Sequence, residues 1–171
     1  MPTDLKQIRL LLLDVDGVLT DGRIIYTDAG EQVKSFYSKD GLGLRLLMDA
    51  GVKVGIVTGR TSQVLRHRCQ NLGIDLIFDG IKDKALALEQ IVEKTGIPAS
   101  AIAFAGDDLI DLPAMTRCGV AFAVADAVPE VKAAADMVTA RPGGLGGVRD
   151  ICEALLKARG DWENILNRFM S

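Results

Sequence analysis

The sequence predicts an α/β fold, a Rossmann-like three-layer sandwich with a mostly parallel sheet between helices. Short runs rich in Val, Ile and Leu alternate with segments of helical period, which is typical of βαβ units. A glycine follows each of the first four helical segments, where helices favour a left-handed residue. The predicted strands are 8–13, 52–57, 75–78, 102–105, 120–124 and 136–139. The predicted helices are 41–50, 61–72, 83–95, 109–118 and 128–135, followed by Gly51, Gly73, Gly96 and Gly119 after the first four.

The first strand is predicted to be central. Leu10–Leu13 are consecutive leucines, so both faces of this strand are apolar, as in a parallel strand covered by helices on both sides. No repeat or linker divides the 171 residues, and we therefore expect a single domain over 1–171.

Residues 22–38 interrupt the alternation of strands and helices. Two β-prone runs, Ile24–Tyr26 and Gln32–Tyr37, flank a polar turn with Asp28 and Gly30, which predicts a β-hairpin. Because the hairpin follows the first strand, we expect it to stand as a flap over the carboxyl end of the sheet. An isolated two-stranded hairpin is marginally stable in water. Its apolar side chains therefore need a partner surface, either a neighbouring subunit, which we favour, or the same domain.

The C-terminal part contains a glycine-rich turn, Gly143–Gly147, an amphipathic helix with Val148 and Ile151 on its apolar side, and a tail over 160–171. The turn lacks the spacing and the strand-to-helix placement of a dinucleotide-binding loop. Trp162 in the tail is compatible with core packing or with an interface.

Composition narrows the possible functions. Hydrophobic residues make up 49% and charged residues 25%, as in a globular protein, and the net charge of −3 without a basic tract argues against a nucleic-acid partner. No apolar run is long enough for a membrane span, and the start lacks the apolar region of a signal peptide. The cysteines Cys69, Cys118 and Cys152 have no metal-site spacing and predict buried thiols in a reducing compartment. We expect a cytoplasmic protein without membrane association.

Polar side chains follow several predicted strands. The carboxyl ends of parallel strands share one edge of the sheet, so these side chains should converge. Five carboxylates in one crevice cannot all stay ionised without a cation, and carboxylates with water and phosphate are the ligands of Mg²⁺. A threonine hydroxyl, backbone N–H groups and a lysine would bind an anion there, which suits phosphoryl transfer. The residues are Asp14, Asp16, Thr58, Gly59, Arg60, Lys84, Asp107, Asp108 and Asp111.

Each of these residues also has a simpler interpretation. Thr58 could cap the next helix and Lys84 could be a solvated helix residue. Asp107 and Asp108 could be N-terminal helix caps. Their occurrence at successive strand ends favours a joint site.

The ordered motifs D-x-D-G-V-x-x-D-G, T-G-R, a lysine and G-D-D-x-x-D resemble those of the haloacid dehalogenase-type phosphohydrolase superfamily across nearly the whole chain. The resemblance implies that Asp14 is the nucleophile and forms an aspartyl-phosphate. It implies that Asp16 is the general acid and then the general base. Mg²⁺ would be held by the Asp14 carboxylate, the Asp16 backbone carbonyl and Asp107.

The same resemblance assigns the remaining site residues. Thr58 and Lys84 would bind the phosphoryl oxygens, and Asp108 and Asp111 would support the metal and the lysine. An aspartate at position 16 favours a phosphatase or a mutase, because related ATP-driven pumps carry threonine there.

The spacing of the motifs leaves no room for a cap domain. Asp16 and Thr58 are 42 positions apart, filled by the hairpin and one helix, and Thr58 and Lys84 are 26 apart. Neighbouring subunits would have to cover such a site against water. This capless pattern is similar to homotetrameric phosphatases that act on an eight-carbon 2-keto sugar acid phosphate in lipopolysaccharide synthesis.

Further matches to these capless phosphatases are Phe36-x-x-x-Asp40-Gly41 and the segment from Gly143 to Arg149, with Gly147 and Asp150 as mild departures from alanine and glutamate. Related enzymes for nine-carbon substrates tend to have glutamate where Arg60 stands. Arg60 can pair with a substrate carboxylate, so the resemblance favours the eight-carbon substrate. Gly59, Arg60 and Lys84 would bind substrate, and Phe36 and Arg149 are possible intersubunit contacts.

Three alternatives remain open at this point. One is a phosphatase for the nine-carbon substrate, and another is a non-enzymatic phospho-receiver domain, which also combines aspartates, threonine and lysine around Mg²⁺. The last is a catalytically idle oligomerisation module.

Overall fold

The computed structural model describes residues 4–171. The strands are β1 (Leu10–Leu13), β2 (Ile25–Tyr26), β3 (Gln32–Val33), β4 (Lys53–Val57), β5 (Leu76–Phe78), β6 (Ile102–Gly106), β7 (Val120–Ala123) and β8 (Met137–Val138). The α-helices are α1 (Ser38–Asp49), α2 (Gln63–Leu72), α3 (Lys84–Thr95), α4 (Leu112–Met115), α5 (Pro129–Ala134), α6 (Gly147–Arg159) and α7 (Trp162–Met170). Short 3₁₀ turns lie at Leu5–Gln7, Ala99–Ala101 and Leu109–Asp111.

Six strands form the main sheet in the order β5-β4-β1-β6-β7-β8, and every neighbouring pair is parallel. The predicted Rossmann-like α/β fold is therefore confirmed. β1 lies between β4 and β6, which places the residues that follow these three strands side by side at the carboxyl edge.

The core lies on both faces of β1. All four leucines of this strand are fully buried, because helices cover the sheet on both sides. Phe104 in β6 and Phe122 in β7 extend the same core, and α1 packs against α6.

Some of the helix ends lie where the sequence predicts them, and one does not. Gly51, Gly73 and Gly96 have positive φ and follow their helices as expected. The prediction for 109–118 is wrong in detail, since this segment divides into a 3₁₀ turn and the short helix α4, which ends at Met115. Gly119 is not left-handed. A Cβ at this position would lie 2.1 Å from the Ser100 carbonyl oxygen, so close packing of two backbones requires the glycine.

The hairpin and the C-terminal tail have defined structures. β2 and β3 pair antiparallel, so the predicted hairpin is present, although its second strand is shorter than expected. The tail forms helix α7, in which Ile165 is buried and Trp162 packs against the core, while Phe169 is exposed. Among residues 4–171, no helix is both long and apolar enough to cross a membrane.

Truncation of Phe122 should strongly destabilise the protein. Phe122→Ala removes a ring that is 1% exposed and leaves a cavity, so we expect the free energy of unfolding to fall by about 3–5 kcal/mol. Urea denaturation measures the change. Phe169→Ala is the control, because this ring is 66% exposed and its loss should change stability by about 0.5 kcal/mol or less. Equal effects of the two changes would contradict the described core.

Candidate active site

The site lies at the carboxyl edge of the three central strands. Asp14 directly follows β1, Thr58 directly follows β4 and Asp107 directly follows β6. Lys84 is the first residue of α3. The fold thus brings together residues that are far apart in the sequence, as expected for a parallel sheet.

Lys84 joins two of the aspartates. Its Nζ lies 2.9 Å from Asp14 Oδ1 and 2.6 Å from Asp111 Oδ1, and all three side chains are almost completely buried. Burial alone would lower the pKa of Lys84, but the two adjacent carboxylates outweigh burial and raise it. Lys84 therefore stays a cation at neutral pH, and the alternative of a solvated helix lysine is wrong.

Asp111 organises the loop after β6. While its Oδ1 accepts the hydrogen bond from Lys84, its Oδ2 accepts the backbone N–H groups of Asp107, at 2.9 Å, and Asp108, at 3.2 Å. Asp108 itself is exposed and its side chain accepts the N–H of Leu109. It therefore acts as a cap of the 3₁₀ turn and lies outside the buried cluster.

Three carboxylates form a compact acidic cluster. Each of Asp14, Asp107 and Asp111 offers an oxygen, and these oxygens lie within 4.8 Å of one another. Burial and then the neighbouring Asp111 raise the pKa of Asp14 to about 6, against the opposing effect of Lys84. Burial, Asp14 and Asp111 raise the pKa of Asp107 to about 8.

The residues of this cluster fit a divalent cation. Asp107 Oδ1 is buried and has no hydrogen-bond partner within the described part of the chain. A Cβ at Gly17, which has φ 94°, would lie 2.0 Å from Asp107 Oδ2, so only glycine lets the two loops approach this closely. Crowded carboxylate oxygens with one unused acceptor are the donor set of a hard cation such as Mg²⁺.

Asp16 lies beside the cluster and contacts two cations. Its Oδ1 accepts a hydrogen bond from Lys34 Nζ at 2.6 Å, and its Oδ2 is 3.6 Å from Arg60 Nε. Lys34 is not among the site residues predicted from the sequence. Its position two residues before Phe36 could have identified it, because residues two positions apart in an extended strand face the same side, and a lysine on the side of Phe36 is turned toward the protein.

Thr58 is buried at the end of β4, and its Oγ1 accepts the N–H of Arg60 at 3.4 Å. The capping alternative for Thr58 is wrong, since Ser62 caps α2 by accepting the N–H of Leu65. Gly59 lies between Thr58 and Arg60, and the Arg60 side chain is about half exposed, at 49%.

The glycine-rich turn packs on the loop that follows β1. The Gly144 N–H donates to the Val18 carbonyl at 2.9 Å, and a Cβ at Gly143 would lie 1.7 Å from the Gly17 carbonyl oxygen. The turn therefore supports the loop that contains Asp16.

Asp40, from α1, accepts the N–H of Arg149 in the first turn of α6, at 2.8 Å, and burial raises its pKa to about 6.

The two residues expected at a subunit interface make contacts inside this chain. Arg149 Nε is 2.8 Å from Glu153, and its guanidinium lies 5.6 Å from the centre of the Trp162 ring. Phe36 is partly buried against the core beneath the guanidinium of Arg68.

A surface cavity of about 620 Å³ lies away from these residues. It is lined by Lys53, Leu76 and Lys94, among others, at the amino edge of the sheet. None of the site residues lines it, so cavity size does not locate the chemistry in this fold.

The class of protein follows from this fold and site together with a family profile. A profile of haloacid dehalogenase-like hydrolases matches residues 74–150, which include Lys84 and the acidic loop after β6. Nearly full-length relatives refine this class. The 3-deoxy-D-manno-octulosonate 8-phosphate phosphatase of Haemophilus influenzae is 44% identical over 160 residues, which cover 94% of this chain and 89% of the relative. That of Escherichia coli K12 is 44% identical over 155 residues, which cover 91% and 82%.

Solved structures agree. The phosphatase of the same name from Moraxella catarrhalis, in complex with magnesium, phosphate and 3-deoxy-D-manno-octulosonate (KDO), has a TM-score of 0.95 at 40% identity, covering 97% of this chain and 95% of that one. The cobalt-bound H. influenzae enzyme has a TM-score of 0.89 at 44% identity, covering 92% of each chain. The chain belongs to the 3-deoxy-D-manno-octulosonate 8-phosphate phosphatase family of haloacid dehalogenase-like hydrolases. The superfamily and the enzyme class expected from the motifs are confirmed.

The acidic cluster should make the metal-free protein less stable as the pH rises. The pKa of Asp14 is about 6 and that of Asp107 is about 8, both above the ordinary value of 3.8. Between pH 3.8 and about 8, the folded state therefore binds more protons than the unfolded state. We therefore expect the free energy of unfolding to fall from pH 5 to pH 8 in the presence of a chelator.

Asp107→Asn should reduce this fall, because it removes the group with the higher pKa. Urea denaturation of both proteins at pH 5 and pH 8 measures the effect. Asp28→Asn, in the exposed hairpin turn, is the matched control and should leave the pH dependence unchanged. A parallel pH dependence in wild type and Asp107→Asn would contradict the described crowding.

Proposed function

We propose that this phosphatase hydrolyses 3-deoxy-D-manno-octulosonate 8-phosphate to the free sugar acid and phosphate, with Mg²⁺, as a step of lipopolysaccharide biosynthesis. The observation that most directly supports this function is the buried Lys84, which contacts both Asp14 and Asp111 at the carboxyl edge of the sheet. Relatives named for this ester, 44% identical over nearly the whole chain, support the choice of substrate.

We assign the metal site to the Asp14 carboxylate, the Asp107 carboxylate and the Asp16 backbone carbonyl. The unpartnered Oδ1 of Asp107 supports this assignment. Asp111 is already bound to Lys84 and to two backbone N–H groups, so we assign it to support rather than to coordination. When bound, Mg²⁺ neutralises the crowded carboxylates and polarises the phosphoryl group.

The residues then divide the reaction into two displacements. A carboxylate oxygen of Asp14 attacks phosphorus, the bond from phosphorus to the sugar oxygen breaks, and Asp16 gives its proton to that oxygen. Asp16 next takes a proton from water as the water oxygen attacks phosphorus, and the bond to Asp14 breaks. Thr58 and Lys84 hold the phosphoryl oxygens through both displacements, which stabilises the developing charge.

Arg60 is proposed to recognise the sugar acid. Its side chain is half exposed at the rim, beside Gly59, and its weak contact with Asp16 at 3.6 Å leaves it free to turn. A guanidinium pairs with a carboxylate through two parallel hydrogen bonds, which suits the carboxylate of a 2-keto sugar acid.

We further propose that the active form is a homotetramer in the cytoplasm. The hairpin exposes Ile25 at 45%, Tyr26 at 55% and Val33 at 44%, although apolar side chains on a marginal two-stranded sheet need cover. The hairpin and α7 of neighbouring subunits would shield the aspartyl-phosphate from bulk water. Three free cysteines, two of them buried, support a reducing compartment.

A phosphate-release assay tests the activity. We expect Mg²⁺-dependent release from 3-deoxy-D-manno-octulosonate 8-phosphate at least about tenfold faster, in kcat/KM, than from a nine-carbon 2-keto sugar acid 9-phosphate. Asp14→Asn should reduce turnover by about 10³-fold or more, because the amide is a poor nucleophile and no aspartyl-phosphate forms. Asp28→Asn, an exposed change in the hairpin turn, is the control and should retain most of the activity.

Three results would count against this function. Preference for the nine-carbon ester would assign the alternative substrate. A stable phosphoprotein without turnover would identify a receiver domain, and the absence of any phosphate transfer would identify an idle module.

Sedimentation velocity tests the assembly. We expect wild type to sediment as a tetramer at micromolar concentration, and Ile25→Asp to shift it to smaller species, since a charge at this exposed position opposes apolar packing. Glu31→Gln, also exposed on the hairpin, should leave the tetramer intact. A wild type that sediments as a monomer would reject the proposal.

A further inference from the structure

The hairpin contains a lysine in an unexpected place. Residues 31–36 alternate between exposed and half-buried, with Gln32, Lys34 and Phe36 turned inward. Val33, between them, is 44% exposed. This order inverts the usual one for a strand, in which apolar residues face the protein and charged residues face water. Such a local conflict is expected at functional positions.

The contact of Lys34 explains its inward position. The Lys34 side chain is only 4% exposed, and its Nζ is 2.6 Å from Asp16 Oδ1. Burying an ammonium group is costly unless a carboxylate and a good hydrogen bond compensate for the lost hydration. The contact with Asp16 therefore offsets the cost of burying the Lys34 ammonium group. In turn, Lys34 restricts the orientation of the Asp16 carboxylate.

The second cation near Asp16 behaves differently. Arg60 Nε is 3.6 Å from Asp16 Oδ2, and the Arg60 side chain is 49% exposed. An exposed pair at this distance contributes little and exchanges easily with water or a ligand. The two oxygens of Asp16 are thus unequal, one fixed by a buried lysine and the other open at the rim.

We propose that Lys34 is the positioning residue for Asp16, fixing Oδ1 so that Oδ2 faces the leaving oxygen of the substrate. This inference rests on the proposed function. In the first displacement the proton on Oδ2 moves to the sugar oxygen while the bond from that oxygen to phosphorus breaks. Lys34 touches neither of these atoms and acts only through Asp16. It also makes the hairpin part of the catalytic centre.

Substrates with different leaving groups test this role in the full-length protein. In single turnovers with enzyme in excess, Lys34→Met should release 3-deoxy-D-manno-octulosonate about 10- to 100-fold more slowly than wild type. Its release of p-nitrophenolate from p-nitrophenyl phosphate should change by less than about threefold, because this leaving group needs no proton. Lys53→Met, an exposed lysine at the opposite edge of the sheet, is the matched control and should change neither rate.

A second comparison separates positioning from folding. In the Asp16→Asn background, Lys34→Met should lower the remaining activity by no more than about twofold, since residues that act as a unit are not additive. If Lys34→Met does not fold, Lys34→Gln replaces it in both experiments. KM for the sugar ester should stay within about threefold of wild type.

Equal slowing with both substrates, or a full additional loss in the Asp16→Asn background, would overturn the role of Lys34. Failure of wild type to hydrolyse the sugar ester would instead overturn the proposed function. The two failures are therefore distinguishable.

Discussion

The buried contact between one lysine and two aspartates is the interaction on which the site depends. Lys84 starts α3 and reaches Asp14 at the end of β1 and Asp111 beyond β6. Removal of Lys84 would leave two buried carboxylates without the cation that they share, and loss of the partner of a buried charge is among the most destabilising changes in a protein interior. The same ammonium group holds the acidic loop in place, because Asp111 fixes the backbone of Asp107 and Asp108 with its other oxygen.

The acidic cluster places buried carboxylates close to one another, which is electrostatically unfavourable, and the rest of the fold holds them there. Asp14 and Asp107 have raised pKa values because they are buried and lie near other carboxylates. The rest of the structure must hold them there, and glycines provide the close approach, most clearly at Gly17, where any side chain would meet Asp107. Repulsion between buried carboxylates is common at active sites, where a bound cation offsets it.

Much of the fold and the site could be predicted from the sequence, for identifiable reasons. Central parallel strands are continuous apolar runs, so the strand at Leu10–Leu13 and the polar residues after it were recognisable. Gly119 was misinterpreted, because its cause is the distant carbonyl of Ser100, which no local pattern encodes. Lys34 was missed for a similar reason, since its importance lies in a contact with Asp16 across 18 positions of sequence.

The glycine-rich turn links the end of the chain to its beginning. Gly143 and Gly144 press directly on the backbone of residues 17–21, and Asp40 joins α1 to the start of α6. During synthesis on the ribosome, every residue of the acidic cluster has been added to the chain once Asp111 is in place, but the turn that packs against the loop after β1 is added only later. A truncated chain that ends before residue 143 therefore contains every residue of the acidic cluster but lacks the turn that packs against residues 17–21, and this support is complete only when about the last sixth of the polypeptide is present.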